Sequence, residues 1–160
     1  MFEGIPLERM FEGIPEAIPI AIGIGMFISL FLTETLGITA GGLIVPGYIG
    51  LSMFTPSDIV LTFIVSIITI VIIKFLSKIL LIYGKRRLVL CLMIGFLIGF
   101  PFIQPPGDNI KGIYVVGYII PGLIASWMDR QGIIRTISTI MITSSIVFLI
   151  LFLIFFKELV

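Results

Sequence analysis

An eleven-residue apolar segment occurs twice in this sequence, and each copy ends in Pro-Gly. The first copy, GITAGGLIVPG, occupies residues 37–47, and the second, GIYVVGYIIPG, occupies residues 112–122. At a constant offset of 75 residues the identical pairs are Gly37/Gly112, Ile38/Ile113, Gly42/Gly117, Ile44/Ile119, Pro46/Pro121 and Gly47/Gly122. Proline removes a backbone donor and disfavours helix just upstream, and glycine permits a sharp turn. The fold must therefore accommodate two interrupted apolar segments.

The rest of the chain is too apolar for a water-soluble domain of this size. Hydrophobic residues make up 59% and charged residues 12% of the 160 residues, and the mean hydropathy is +1.28. A helix needs about 20 apolar residues to cross a hydrocarbon layer of about 30 Å. The sequence therefore predicts a single all-α integral membrane domain over residues 1–160, with four to six crossings of the plasma membrane.

The residue inventory excludes several kinds of chemistry. Cys91 is the single cysteine and the chain has no histidine, so a disulfide within one chain and most general-base or metal-site schemes are excluded. No P-loop and no nucleophile–base constellation is present. We expect no catalytic residue, cofactor, metal or nucleic-acid partner, and no catalysis by this chain alone.

The hydrophobic pattern divides the chain into two repeats of three segments, about residues 20–87 and 88–156. The predicted segments are Ile20–Leu36, Ile38–Phe54, Ile59–Tyr83, Leu88–Phe100, Gly112–Met128 and Ile133–Phe156. The middle segment of each repeat carries Pro-Gly and is either a broken crossing or a re-entrant hairpin. Ser57 is the predicted N-cap of the third segment, and residues 101–109 and 129–132 are predicted to form a loop and a polar turn.

Residues 1–19 form a short N-terminal segment with a repeat of their own. The string MFEGIP occurs at residues 1–6 and again at residues 10–15. We prefer Met10 as the natural start, and we assign no chemistry to this segment.

Basic residues cluster in the last part of the third segment and in the turn that follows it. They are Lys74, Lys78, Lys85, Arg86 and Arg87. The positive-inside rule places this turn in the cytoplasm. The cluster either is a topology signal only or forms a basic collar that docks a partner or attracts a polyanion, which needs cations where it enters.

The charge rule does not choose between broken crossings and hairpins. Six crossings put seven of the ten Lys and Arg residues inside with the two halves inverted, and four crossings also put seven inside with the halves parallel. Glu34 weakly favours six crossings, because that topology places it with Lys74, Lys78 and Arg130. Glu34 and Arg130 are the candidates for an ion pair at the membrane edge, while Asp129 and Gln131 are interpreted as a solvated turn.

The two Pro-Gly segments are the candidate working site. Their motif residues are Gly42, Pro46, Gly47, Tyr48, Gly117, Pro121 and Gly122. One interpretation is structural, with kinks that let helices pack. The other is functional, with freed backbone amides near the midplane that suit an anion, or freed carbonyls that suit a cation.

Several motifs together resemble the PgsC/CapC family, the small membrane subunits of bacterial poly-γ-glutamate capsule synthases. They are TE at 33–34, GLIVPGY at 42–48, KFLSKILLIYGKRR at 74–87, IIPGLIA at 119–125 and RQG at 130–132. The resemblance spans about residues 20–150 in the same order and at similar spacing. The doubled MFEGIP is a departure that affects the start site and not the family.

The resemblance implies a set of partners. They are a PgsB/CapB-like ATP-dependent amide ligase, a PgsA/CapA-like surface subunit, in some members a very small extra subunit, and the poly-γ-glutamate polymer. Homo- or hetero-oligomers in the bilayer are expected, because 160 residues are few to enclose a conduit. The alternative function from the residues alone is a free-standing secondary transporter for a small anion or ion; a membrane-embedded transferase has little support.

Overall fold

The computed structural model describes residues 17–79, 84–102, 115–117 and 119–159. The helices are α1 (Ala17–Leu36), α2 (Val45–Leu51), α3 (Pro56–Ile79), α4 (Lys85–Gly99), α5 (Ile120–Gln131) and α6 (Ile133–Leu159), and short 3₁₀ turns cover Ser52–Phe54 and Phe100–Phe102. Within these ranges the chain is all-α, as predicted. The doubled MFEGIP, most of the loop predicted at 101–109, Lys111 and the first three residues of the second Pro-Gly copy lie outside the described residues.

Within the part of the chain that the structure describes, three helices are long and apolar enough to cross a membrane. Their apolar windows are Ile18–Thr35, Pro56–Lys78 and Ile133–Ile154. Their outer faces carry large exposed apolar side chains, including Phe27 on α1 and Leu153 on α6, which are 73% and 75% exposed. Such surfaces suit contact with lipid, and the chain is an all-α integral membrane protein.

Several helix boundaries differ from the prediction, and three of the differences change an interpretation. α3 begins at Pro56, so Ser57 lies inside its first turn and is not the N-cap; proline is favoured there because its missing N–H is unpaired in any helix start. α4 begins at Lys85, so the basic residues form a helical turn and not a loop. The polar residues 129–131 form the last turn of α5. Gly132, with a φ of 94°, is the single residue that separates α5 from α6.

Each Pro-Gly dipeptide lies at the start of a short helix. Pro46 and Pro121 occupy the first turns of α2 and α5, where proline costs no intrahelical hydrogen bond. The chain just upstream is not helical, and Gly42 and Gly117 have φ values of 117° and 68°. Glycine is favoured at both positions because other residues rarely adopt positive φ, which explains one of the identities between the copies.

Contacts establish that the ends of α1, α3 and α5 lie together. Gln131, the last residue of α5, donates a hydrogen bond to the carbonyl oxygen of Thr39, just beyond α1. Lys74 near the end of α3 lines a cleft with that same Gln131. Arg87 in the first turn of α4 contacts Asp129 of α5, so α4 starts at this end of the bundle too. We call it the basic end.

The first Pro-Gly segment runs from the basic end to the opposite end. It leaves Thr39 beside Gln131, passes Ile140 of α6 at Gly41, and reaches Val147 of α6 at Gly50. α3 then returns to the basic end. The second Pro-Gly segment runs the other way, since Val115 donates to the carbonyl oxygen of Phe102 and Asp129 lies at Arg87. Over the described residues the chain therefore passes along the bundle six times, and neither Pro-Gly segment turns back on itself there.

The third helix of each predicted repeat packs on the first two helices of the other repeat. α3 lies against α4 and α5, whereas α6 lies against α1 and α2. The main core joins these groups and consists of Val45, Ile49, Ile59, Ile70, Ile120, Ile124, Ala125, Met128 and Ile140. α3 and α6 therefore hold the two Pro-Gly segments together in one helical bundle.

Candidate functional site

The basic end carries the predicted collar, with four of its cations exposed. Lys74, Lys78, Lys85 and Arg86 are exposed side chains at the ends of α3 and α4. Arg87 differs, because it is partly buried and faces the neighbouring helix. The structure thus brings the collar residues to one end of the bundle and separates Arg87 from the other four.

Arg87 forms a salt bridge with Asp129. Its Nη2 donates a hydrogen bond of 2.7 Å to Oδ1, and its Nε lies 2.7 Å from Oδ2 as an ion-pair contact without hydrogen-bond geometry. The Asp129 side chain is only 10% exposed. Both charges oppose their own helix dipoles, since a cation lies in the first turn of α4 and an acid in the last turn of α5. Pairing them compensates both, so Asp129 is a structural partner and not part of a solvated turn.

The Glu34–Arg130 pair expected from sequence is not formed between these two described residues. Arg130 extends over the Trp127 ring, with its guanidinium carbon 5.4 Å from the ring centroid. Glu34 is exposed in the last turn of α1. Arg130 instead lies over the aromatic ring of Trp127 on its own helix, and Asp129 next to it is occupied by Arg87.

Gln131 is hydrogen-bonded to the non-helical segment that precedes the first Pro-Gly. Its Nε2 donates to the carbonyl oxygen of Thr39 over 2.6 Å, and Thr39 Oγ1 donates to Gln131 Oε1 over 3.4 Å. Trp127, one turn earlier on α5, lies close to Gly42. Sequence analysis missed both contacts. The available signal was the polar Gln131 at the end of an apolar segment, because a side-chain amide in such a position needs hydrogen-bond partners.

The glycines of the Pro-Gly motifs lie against the backbones of α1 and α4. A methyl group placed on Gly47 would lie 2.8 Å from the Ala21 carbonyl oxygen, and one on Gly122 would lie 2.7 Å from the Cys91 carbonyl oxygen. Both prolines and both glycines are buried, and Tyr48 is half-buried against the core. This geometry favours the packing interpretation of the motifs.

Close contact is reciprocal in both copies. Gly25 of α1 faces Gly47, and Gly95 of α4 faces Gly122, in each case at a distance that excludes a side chain. The two helices that make these contacts, α1 and α4, are antiparallel, because α1 ends and α4 begins at the basic end. The predicted division into two repeats agrees with these local contacts and otherwise stays a prediction.

An open cleft of about 610 Å³ lies at the basic end between α3 and the corner joining α5 to α6. Lys74 lines one wall, and Gln131, Gly132 and Arg135 line the other. Sequence analysis did not connect Arg135 with Lys74, because the two are 61 positions apart and on separate helices.

Known proteins support the resemblance noted from the motifs. The family model described as "Capsule biosynthesis CapC" matches residues 24–137. The chain is 38% identical over 123 residues to the PGA biosynthesis protein CapC of Bacillus subtilis (strain 168), covering 74% of this chain and 83% of the relative. It is 34% identical over 126 residues to the capsule biosynthesis protein CapC of Bacillus anthracis, with the same coverage of both chains. No solved structure matches this chain significantly. The chain therefore belongs to the capsule biosynthesis CapC family.

Proposed function

We propose that this chain is a membrane subunit of a poly-γ-glutamate synthase and export complex, in which its basic end recruits the ATP-dependent amide ligase. Membership of the family gives a role in capsule biosynthesis. The observation that carries the finer proposal is the similarity to the B. subtilis relative, which is named for PGA biosynthesis and is matched over 74% of this chain.

The exposed cations support the recruiting role. Lys74, Lys78, Lys85 and Arg86 lie at one end with no acidic partner among the described residues, whereas Arg87 is neutralised by Asp129. A free cationic surface attracts an acidic partner face or a polycarboxylate, and the attraction weakens with salt. The positive-inside rule puts this end in the cytoplasm, where ATP is available to a ligase.

The packed interior supports a shared export path. Val45 and Ile49 of α2 meet Ile120 and Ile124 of α5 in the main core, and all four are at most 4% exposed. A hydrated polyanion cannot pass through such a core without large desolvation cost. We infer that the polymer crosses along a surface of this chain, between it and partner subunits or further copies.

The recruiting role is tested by replacing Lys85 and Arg86 together by glutamine. Co-purification of the ligase in detergent should fall severalfold and become less sensitive to salt, with ATP-dependent polymer formation falling in parallel. Arg130→Gln is the matched control, because Arg130 is an exposed cation at the same end that lies over Trp127. Unchanged co-purification together with unchanged polymer yield in the double variant contradicts the recruiting role.

A secondary transporter is the competing function, favoured by the two interrupted segments that run in opposite directions. It predicts that the purified chain alone moves a small anion into liposomes. A Mur-ligase-like gene next to the gene for this chain would favour the synthase instead.

A further inference from the structure

The cleft at the basic end has an excess of positive charge. Lys74 of α3 and Arg135 of α6 both line it, both side chains are exposed, and neither has an ion-pair partner among the described residues. Asp129 also lines the cleft, but both of its oxygens face Arg87 at 2.7 Å. Two unpaired cations that converge on one cleft attract an anionic group.

The first turn of α6 adds hydrogen-bond donors to this cleft. Gly132, Ile133 and Ile134 contribute to its lining, and the first hydrogen bond of the helix runs from the Thr136 amide to the Gly132 carbonyl oxygen. The amides of the residues between them have no acceptor within the helix. They supplement the two side-chain cations.

The rim of the cleft is open and apolar at Ile134, which is 83% exposed. On α3, Val71 and Phe75 lie near Lys74 in the sequence and are 59% and 66% exposed. A hydrated polycarboxylate would leave these side chains uncovered. A ligand with an anionic head and an apolar body would cover both the cations and the rim.

The position of Lys74 fits the boundary of a bilayer. It lies 16 residues after Asp58 on α3, a rise of about 24 Å along the helix. This nearly spans the hydrocarbon layer, so the ammonium group lies at headgroup depth when Asp58 lies at the other surface. Val71, about one turn before Lys74 on α3, then lies deeper, at acyl-chain depth.

We propose that this cleft binds the headgroup of an anionic phospholipid, with Lys74 and Arg135 on the phosphate and the acyl chains along the exposed sides of α3 and α6. The site shares Lys74 with the collar, but it does not depend on the recruiting role proposed above, because binding of a headgroup needs no partner subunit. It gives Arg135, the arginine just after the RQG motif, a ligand that neither the charge rule nor the family comparison assigns.

The test compares lipids on the purified full-length chain by native mass spectrometry and by thermal unfolding in detergent. Phosphatidylglycerol should remain bound and raise the unfolding temperature, and phosphatidylcholine should do so far less. The Lys74→Gln/Arg135→Gln variant should bind phosphatidylglycerol about 30-fold more weakly, or about fivefold for each cation removed. Lys78→Gln is the matched control: this exposed lysine lies one turn beyond Lys74 outside the cleft, and its loss should change binding less than twofold.

Competition on the unmodified chain separates the possible ligands without any variant. Soluble poly-γ-glutamate and inorganic phosphate at matched charge should leave phosphatidylglycerol bound. Displacement by poly-γ-glutamate would assign the cleft to the polymer and overturn the proposal. Equal retention of both phospholipids, or equal loss in the Lys78→Gln control and the double variant, would also overturn it.

Discussion

Glycine is required at four positions because the backbone of a neighbouring helix lies too close for any side chain, and not because the backbone conformation there is unusual. A methyl group on Gly25 would lie 2.7 Å from the Gly47 nitrogen, and one on Gly95 would lie 2.6 Å from the Gly122 α-carbon. The obstructing atoms belong to backbones, so they cannot rotate away as a side chain would. Close backbone contact of this kind is a common way for membrane helices to pack.

Gly25→Ala and Gly95→Ala should each lower stability by about 1–3 kcal/mol, because each helix must move away from its partner. The measurement is thermal unfolding in detergent, followed by fluorescence-detected size exclusion. Gly23→Ala is the matched control on α1, since no atom lies within 4 Å of its added methyl group. Equal loss of stability at Gly23 and Gly25 would contradict this account.

The salt bridge between Arg87 and Asp129 should be coupled strongly enough to measure. Asp129→Asn removes one charge and leaves a partly buried arginine unpaired, so we expect this variant to be less stable than the Arg87→Gln/Asp129→Asn double variant. A double-mutant cycle should give a coupling energy of about 1–3 kcal/mol. Additive effects of the two changes would mean that the pair contributes nothing beyond its separate parts.

Which charges pair was only partly predictable from sequence. Glu34 was expected to pair with Arg130 because both lie on the same side of the membrane in the six-crossing topology. That expectation left out the helix dipoles. An acid in the last turn of α5 and a cation in the first turn of α4 are each unfavourable alone, and that joint signal points to Arg87 with Asp129. The Trp127 face that holds Arg130 follows from i, i+3 spacing and was also readable.

At the scale of elements, α5 positions the non-helical chain that leads into α2. Gln131→Glu removes the amide donor to the Thr39 carbonyl oxygen and places a carboxylate there. We expect faster hydrogen exchange across residues 38–43 and a loss of about 1–3 kcal/mol in local stability, since a buried acceptor loses its donor.

Thr39→Val is the control for this prediction. It removes only the longer bond of 3.4 Å and keeps the 2.6 Å bond to the carbonyl oxygen. Hydrogen-exchange mass spectrometry should show a smaller change in this variant than in Gln131→Glu. The reverse order would mean that the Gln131 amide does not hold the segment.

The existence of the elements was predictable, but their partners were not. Periods of apolar residues located all six segments, and Pro-Gly located the interruptions. The packing of α3 on α4 and α5, and of α6 on α1 and α2, depends on side-chain fit between distant segments. A sequence pattern gives the apolar face of a helix but not which neighbour covers it.

For the whole molecule, the direction of each Pro-Gly segment favours one of two topologies that charge alone leaves equal. The contacts place the ends of α1, α3 and α5 together, so the two segments pass along the bundle in opposite directions. Glu34 and Arg130 then lie at the basic end with the collar, although they do not pair. The six-crossing topology favoured weakly by Glu34 agrees with this arrangement.

Cysteine labelling in whole cells tests the placement in the membrane. Six crossings put Arg130 on the cytoplasmic side, whereas re-entrant hairpins put it outside. Ser57→Cys and Lys85→Cys are controls that are outside and inside, respectively, in both topologies. A membrane-impermeant maleimide should label Ser57→Cys in intact cells, and Lys85→Cys and Arg130→Cys only after permeabilisation; the native Cys91 is buried and should contribute little background. Labelling of Arg130→Cys in intact cells at the rate of Ser57→Cys would show that the bundle is not oriented as six crossings require.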